Sequence, residues 1–149
     1  MSSVSLAEQI RAAMNAARKQ RDQARTLLTS TLLADIANRQ IELGHALSDA
    51  EVVEVVRRAL KKRREAVEQA RAVGRTEHAD REAFEATELE QWLPPAVPEE
   101  EIRAAVRAAL AAGARDLGAV MGKVMPQFRG RAEGSVVNRI VREELAPKV

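Results

Sequence analysis

Apolar residues recur every three or four positions along most of the chain, which is the spacing of one face of an α-helix. The first stripe contains Leu6, Ile10, Met14 and Ala17, and Ser5 stands immediately before it. A serine there can accept a hydrogen bond from the first turn, so the pattern predicts a helix that begins after Ser5. Seven segments along the chain have this spacing, and together they predict an all-α protein.

Turn-forming residues divide the first part of the chain into four predicted helices. A break is expected near residues 19–21, and Gly44 turns the chain after the second stripe. Ser48 and Glu51 can form a capping box, in which each side chain bonds the other residue's backbone N–H. Gly74 is a stop signal for the third helix. These signals predict two helical hairpins.

Prolines mark the boundary between two predicted lobes. The fourth helix is expected to be capped by Thr76 and to run to about Trp92, and residues 93–98 then contain three prolines. Adjacent prolines forbid helix. We therefore predict an N-terminal four-helix lobe at residues 1–93, followed by a C-terminal three-helix tail lobe at residues 94–149.

The tail lobe is expected to hold three short helices. The first spans about residues 98–112. Asp116 can cap the second, which is expected to end near Met125 because Pro126 follows. The last helix spans about residues 135–145.

The composition supports a folded helical protein. Of the 149 residues, 46% are hydrophobic and 31% are charged, which is typical of a folded chain rather than a disordered one. Phe84, Trp92 and Phe128 are the only aromatic residues, so aliphatic residues must fill the core.

Residue types exclude several kinds of site. The absence of cysteine excludes disulfides, thiolate metal sites and a cysteine nucleophile. His45 and His78 have neither metal-ligand spacing nor an evident catalytic partner. The chain also lacks the glycine-rich phosphate loop of many ATP-binding proteins. We expect no cofactor, no metal and no catalytic residue.

The sequence also bears on location. The N-terminus lacks the basic and apolar regions of a signal peptide. The longest charge-free run, residues 26–34, is much shorter than the roughly 20 residues that span a bilayer. We expect a cytoplasmic protein with no membrane partner.

Charge is segregated along the chain, although the formal net charge is only +2. Residues 57–64 are strongly basic and residues 77–101 are strongly acidic. Either these helices pair with each other, or their faces stay free for phosphates or partner proteins. Residues 113–149 hold seven Lys/Arg against four Asp/Glu, so the C-terminal part is mildly basic.

The most distinctive stretch, residues 118–138, holds four of the seven glycines. Gly118 and Gly122 share one helix face, which favours close approach by a neighbouring helix or by a nucleic-acid backbone. Basic side chains flank another glycine near the start of the last helix, where free N–H groups suit an anion. The alternative is a surface turn with solvated arginines.

Motifs along nearly the whole chain resemble the GatB/YqeY family. The C-terminal motifs are Gly-x-Val-Met, Met-Pro, Gly-Arg-Ala-Glu-Gly and Val-Val-Asn-Arg-Ile-Val, at residues 118–121, 125–126, 130–134 and 136–141. Earlier stretches agree, at residues 42–44, 47–52, 62–66, 72–75 and 90–94. Their order is similar to that of the stand-alone YqeY-like proteins rather than a complete amidotransferase B subunit.

The resemblance implies a role for the tail lobe. It is similar to the C-terminal part of the B subunit of tRNA-dependent amidotransferases, which holds the body of the tRNA. The implied RNA contacts are Lys123, Arg129, Gly130, Arg131, Asn138, Arg139 and Arg142. The sequence departs from many relatives at Ala119, where they carry lysine.

The resemblance therefore implies a non-catalytic tRNA-binding module that recognises shape and phosphate. The implied partners are tRNA and either amidotransferase subunits or an aminoacyl-tRNA synthetase. Relatives are often catalogued with a carbon–nitrogen ligase activity that uses glutamine as amide donor. One alternative is thus an accessory part of such a ligase, and another is a helical protein-interaction module without RNA binding. No independent transamidation is expected, because ATP activation and ammonia release belong to other domains in the family.

Overall fold

A computed structural model describes residues 4–147, and all the regular secondary structure in that range is helical. Within it the chain forms seven helices: α1 (Leu6–Lys19), α2 (Gln23–Leu43), α3 (Asp49–Ala72), α4 (Thr76–Glu90), α5 (Glu99–Ala111), α6 (Leu117–Phe128) and α7 (Gly134–Leu145). The all-α prediction is confirmed. No helix in the described range combines the length and the apolar character needed to cross a membrane.

The helices group into two compact units, Met1–Leu93 and Pro94–Val149. In the first unit α1 packs on α2 and α3 packs on α4, so that two hairpins form, and α3 also contacts α1 and α2. The core of this unit is aliphatic, and the partly buried Trp92 packs against it. Its largest fully buried side chains are Ile10, Leu32, Leu60, Leu89, Val52 and Val56.

Most of the predicted helix starts are confirmed. The Ser5 side chain accepts a hydrogen bond from the first turn of α1. Ser48 and Glu51 form the predicted capping box, with distances of 3.2 Å and 3.0 Å for its two bonds. The break after α1 is also confirmed. Arg21 adopts a positive φ of 57°, and Asp22, which the sequence reasoning missed, caps α2.

The fourth helix begins at Thr76 as predicted, but its predicted cap and its predicted end are wrong. Thr76 is the first residue of α4 rather than its cap, because the Arg75 carbonyl already accepts the N–H of Ala79. The helix ends at Glu90, and Trp92 lies in the following turn. A proline disfavours helical geometry at the residue that precedes it. The helix therefore ends before the prolines themselves.

The basic block of α3 and the acidic block of α4 partly neutralise each other. Arg63 Nε lies 2.8 Å from a Glu85 oxygen and 3.6 Å from a Glu82 oxygen. Arg64 Nη2 lies 3.0 Å from Glu90 Oε1. The interpretation that the two helices pair is confirmed for these two arginines. Other cations of the block are exposed, namely Arg58, Lys61 and Lys62.

In the second unit α5, α6 and α7 pack against one another. Glu99 on α5 pairs with Arg139 on α7, and four residues later Arg103 pairs with Glu143. Because both positions advance together, α5 and α7 run in the same direction. The short connections then require α6 to run the opposite way. The fully buried core residues include Ile102, Val106, Val120, Val124, Val137 and Ile140.

The second helix of this unit, α6, is longer than predicted. Asp116 caps it as expected, accepting the Ala119 N–H at 2.8 Å. Pro126 does not end it, because α6 continues to Phe128. Proline inside a helix removes one backbone donor, and its ring crowds the carbonyl four residues earlier, but Phe128 is 2% exposed within the core. Burial of this ring outweighs the local disruption and keeps the last turn helical.

Candidate nucleic-acid interface

A tight turn joins α6 to α7 and carries three of the predicted contact residues. Gly130 has a φ of 76°, a left-handed conformation that glycine adopts without strain. The backbone N–H groups of Arg131 and Ala132 both donate to the Phe128 carbonyl, at 2.8 Å and 2.9 Å. The turn therefore has a defined geometry, with Arg129 on one side of the glycine and Arg131 on the other.

Arg131 is held by three neighbours. Its Nη2 donates to Glu101 Oε1 at 2.8 Å, and its Nη1 donates to the Gln127 carbonyl at 3.3 Å. The guanidinium carbon also lies 5.4 Å from the centre of the Phe128 ring, within the range of a cation–π contact. Each terminal nitrogen of this arginine therefore already donates one hydrogen bond.

Arg139 also donates one hydrogen bond from each terminal nitrogen. Its Nη1 donates to Glu143 Oε1 at 2.7 Å, and its Nη2 donates to Glu99 Oε1. These hydrogen bonds to Glu143 and Glu99 favour the charged guanidinium, so the pKa of Arg139 is raised above its usual value. The side chain remains about half exposed.

The first turn of α5, Glu99–Glu101, is the partner that the two arginines share, and we call it the acidic turn. Glu101 binds Arg131 and Glu99 binds Arg139. Glu100 forms no ion pair within residues 4–147. Glutamates in the first turn of a helix complement its dipole, and the contact of these glutamates with the candidate interface was not predicted from the sequence.

Three of the predicted cations remain without an acidic partner in the described part of the chain: Lys123, Arg129 and Arg142. All three are exposed. Arg142 Nε donates to the Asn138 side-chain oxygen at 2.8 Å. Asn138 therefore orients a neighbouring arginine, in agreement with the prediction that the two residues share a face of α7.

Hydrogen bonds and ion pairs link some of the seven predicted residues to one another but not all of them. Gln127 donates from its side chain to the Lys123 carbonyl at 3.1 Å and accepts from Arg131, which links Lys123 to the turn. The acidic turn links Arg131 to Arg139. Within residues 4–147, no hydrogen bond or ion pair joins the side chains of Lys123 and Arg129 to α7.

A second charged cluster between α5 and α7 was not predicted. Arg103 donates to Glu143 at 2.8 Å and to Glu144 at 3.0 Å, and Arg107 lies 3.1 Å from Glu144. The Glu144 side chain is only 7% exposed. Hydrogen bonds from Arg103 and then Arg107 lower the pKa of Glu144 below its usual value. A signal was present, since glutamates in the last turn of a helix oppose its dipole and need a partner.

The glycine face of α6 is open. A Cβ added at Gly122 meets no atom within 4 Å, and one at Gly118 comes no closer than 3.5 Å, to an Asp116 oxygen. Of the two alternatives that the sequence left open for this face, close approach by a neighbouring helix is not found among the described residues. Lys123 is four residues after Ala119, on the same side of α6. It thus stands one turn away from Ala119.

Within residues 4–147 no group of three His, Asp or Glu residues could hold a metal ion. The comparisons with known proteins add one positive finding. A family model described as "Yqey-like protein" matches residues 7–145, which is nearly the whole chain. No curated protein matches the sequence.

Proposed function

Because the chain belongs to the Yqey-like protein family, we propose that its second unit is a non-catalytic module that binds tRNA. The resemblance to the tail of amidotransferase B subunits supplies the class of partner. Recognition is by the shape and the phosphates of the RNA. Amidotransferase subunits or an aminoacyl-tRNA synthetase are the proposed protein partners.

The observation that carries this proposal is a set of exposed cations without acidic partners in α6, in the turn after it and in the last turn of α7. Lys123, Arg129 and Arg142 are exposed and have no acidic partner among the described residues. Elsewhere in the second unit, Arg103 and Arg107 are paired with glutamates. Free arginines can bind phosphate oxygens through two N–H groups at once.

The open face of α6 supports the same proposal. Glycine in the interior of a helix costs about 1 kcal/mol relative to alanine. No described residue occupies the space that Gly122 leaves. Close approach of an RNA backbone to this open space would explain why a glycine stands here despite its cost to the helix.

The position of Phe128 favours recognition by phosphate contacts over base reading. Readers of single-stranded RNA stack bases on exposed aromatic rings. Phe128 is the only aromatic residue of the second unit and is 2% exposed. It belongs to the core and is not available for stacking.

Two single substitutions test the proposal with a matched control. Arg115 precedes α6 and Arg129 follows it, so about 18 Å of helix separates two arginines of the same unit. Both are exposed and lack an ion pair within residues 4–147. We expect Arg129→Ala to weaken tRNA binding about two- to tenfold in a gel shift, and Arg115→Ala to leave it nearly unchanged. Equal effects would contradict the proposed site.

The rival role as a protein-docking module loses part of its support. It relied on the acidic and basic blocks facing outside partners, but Arg63 and Arg64 pair with α4. We also expect the purified chain to convert no Glu-tRNA to Gln-tRNA in the presence of glutamine and ATP. Turnover in that assay would show that the module is an enzyme.

A further inference from the structure

We propose that the acidic turn of α5 is an internal competitor for phosphate, which weakens RNA binding and makes the interface select polyvalent anions. This inference rests on the proposed function, since it concerns the regulation of the same interface. It follows from the two ion pairs that join Glu101 to Arg131 and Glu99 to Arg139.

The carboxylates compete for the guanidinium groups that a phosphate would use. A bidentate contact requires two N–H groups of one guanidinium. Arg139 has both terminal nitrogens on carboxylates, those of Glu99 and Glu143. Arg131 has one on Glu101 and the other on a backbone carbonyl. Each guanidinium has five N–H groups, so three remain on each arginine. A phosphate that binds through them still meets a charge that a glutamate already neutralises, and it gains the full attraction only by displacing that glutamate.

The pairs are exposed enough to be displaced. The side chains of Arg131 and Glu101 are 51% and 48% exposed, and those of Arg139 and Glu99 are 47% and 53% exposed. Exposed ion pairs are weak because water and salt screen them. The acidic turn therefore lowers the affinity for an anion without closing the interface.

Competition at two arginines favours a ligand with linked phosphates. A single anion that displaces one carboxylate still meets the charge of the others in the acidic turn. A nucleic-acid backbone replaces both carboxylates in one binding event, because its second contact is intramolecular. Lone phosphate should consequently bind poorly to this interface.

The common role of acidic residues at a helix start provides the control. Glutamates in the first turn stabilise a helix through its dipole, and all three glutamates of the acidic turn share that role. Only Glu99 and Glu101 also bind arginines of the interface. Glu100→Gln removes the same charge from the same turn without freeing an arginine.

The test compares Glu99→Gln and Glu101→Gln with Glu100→Gln in the full chain. We expect each of the first two variants to bind bulk tRNA about two- to fivefold more tightly than Glu100→Gln, the gain expected from releasing one exposed ion pair. Helicity measured by circular dichroism should change equally in all three. Inorganic phosphate at millimolar concentration should compete better against the first two variants than against the unmodified chain.

A second probe separates this inference from the proposed function. The same variants are eluted from immobilised heparin, a polyanion that is not RNA. Later elution of Glu99→Gln and Glu101→Gln than of Glu100→Gln supports the competitor role even if tRNA does not bind. Equal elution and equal tRNA affinity would overturn the inference, as would weaker binding, which would mean that the carboxylates position the arginines.

Discussion

Gly122 and Gly44 differ in backbone conformation, although a Cβ added at either would meet nothing within 4 Å. Gly122 lies inside α6, whereas Gly44 ends α2 with a φ of 76°. Gly122→Ala should raise the free energy of unfolding by about 0.5–1 kcal/mol, because alanine is the better helix former. Gly44→Ala should lower it by about 1 kcal/mol, because a side chain is strained at positive φ.

Urea unfolding followed by circular dichroism checks both signs. The proposed interface adds a further expectation, that Gly122→Ala weakens tRNA binding even as it stabilises the protein. A change of binding in the opposite direction would show that no backbone approaches the open face of α6. If Gly122→Ala were destabilising, the description of that face as open would be wrong.

At the residue scale, sequence reasoning succeeded where chemistry is local. Ser48 and Glu51 satisfy each other's backbone within one turn, so four residues contain all the information. Glu101 and Arg131 are 30 positions apart, and their contact depends on how three helices pack. That is why the turn after α6 could be predicted as a candidate site, whereas the acidic turn beside it could not.

At the scale of elements, the contact between α3 and α4 contains two unequal ion pairs. The side chain of Arg63 is 28% exposed and lies between Glu82 and Glu85, whereas that of Arg64 is 56% exposed. Arg63→Ala should cost about 1–2 kcal/mol of stability, because it leaves two partly buried carboxylates without their partner. Arg64→Ala should cost less than about 1 kcal/mol.

Trp92 provides the readout for this pair of variants. It is the only tryptophan of the chain and packs against the core of the first unit. Its fluorescence during urea unfolding should therefore report the stability of that unit. Equal losses for the two variants would mean that burial does not distinguish the two ion pairs.

The contact between α5 and α7 should make stability depend on acidic pH. Hydrogen bonds from Arg103 and then Arg107 lower the pKa of Glu144, and Arg103 and then Arg139 act likewise on Glu143. A lowered folded-state pKa stabilises the protein above the unfolded value of about 4.3. This contribution is lost as the pH falls through the folded-state pKa.

Glu144→Gln should consequently lower the free energy of unfolding at pH 7. Between about pH 5 and pH 3, this variant should lose less stability than the unmodified chain does. Glu100→Gln is the control, because Glu100 has no ion pair in the described range. Thermal unfolding followed by circular dichroism measures both variants. Parallel pH profiles for the unmodified chain and Glu144→Gln would contradict the assigned role of Glu144.

The helix boundaries show the same division between local and distant causes. Gly44 and the Ser48 capping box ended and began helices as predicted, because caps act within one turn. Pro126 was expected to end α6 on local grounds. The helix continues because Phe128 is buried by the other helices of its unit, and no local signal specifies that burial.

At the scale of the whole molecule, the charge pattern is divided between structural and candidate binding roles. In the basic block of α3, Arg63 and Arg64 form ion pairs with glutamates of α4. In the second unit, Arg103 and Arg107 hold glutamates of α7, whereas Lys123, Arg129 and Arg142 lack acidic partners in the described range. Composition alone gave the excess of positive charge but could not say which cations remain available.

The salt dependence of tRNA binding tests the central claim most directly. Each phosphate neutralised contributes about 0.7–0.9 to the slope of log affinity against log salt. The triple variant Lys123→Ala, Arg129→Ala and Arg142→Ala should therefore have a slope smaller by about two to three. The matched control removes the same residue types from α1, through Arg11→Ala, Arg18→Ala and Lys19→Ala.

We predict that the control keeps the slope of the unmodified chain, while the tail variant loses most of it with little change in helicity. If both triple variants bound tRNA with the slope of the unmodified chain, or if the unmodified chain did not bind tRNA at low salt, the second unit would not be the RNA-binding module described above.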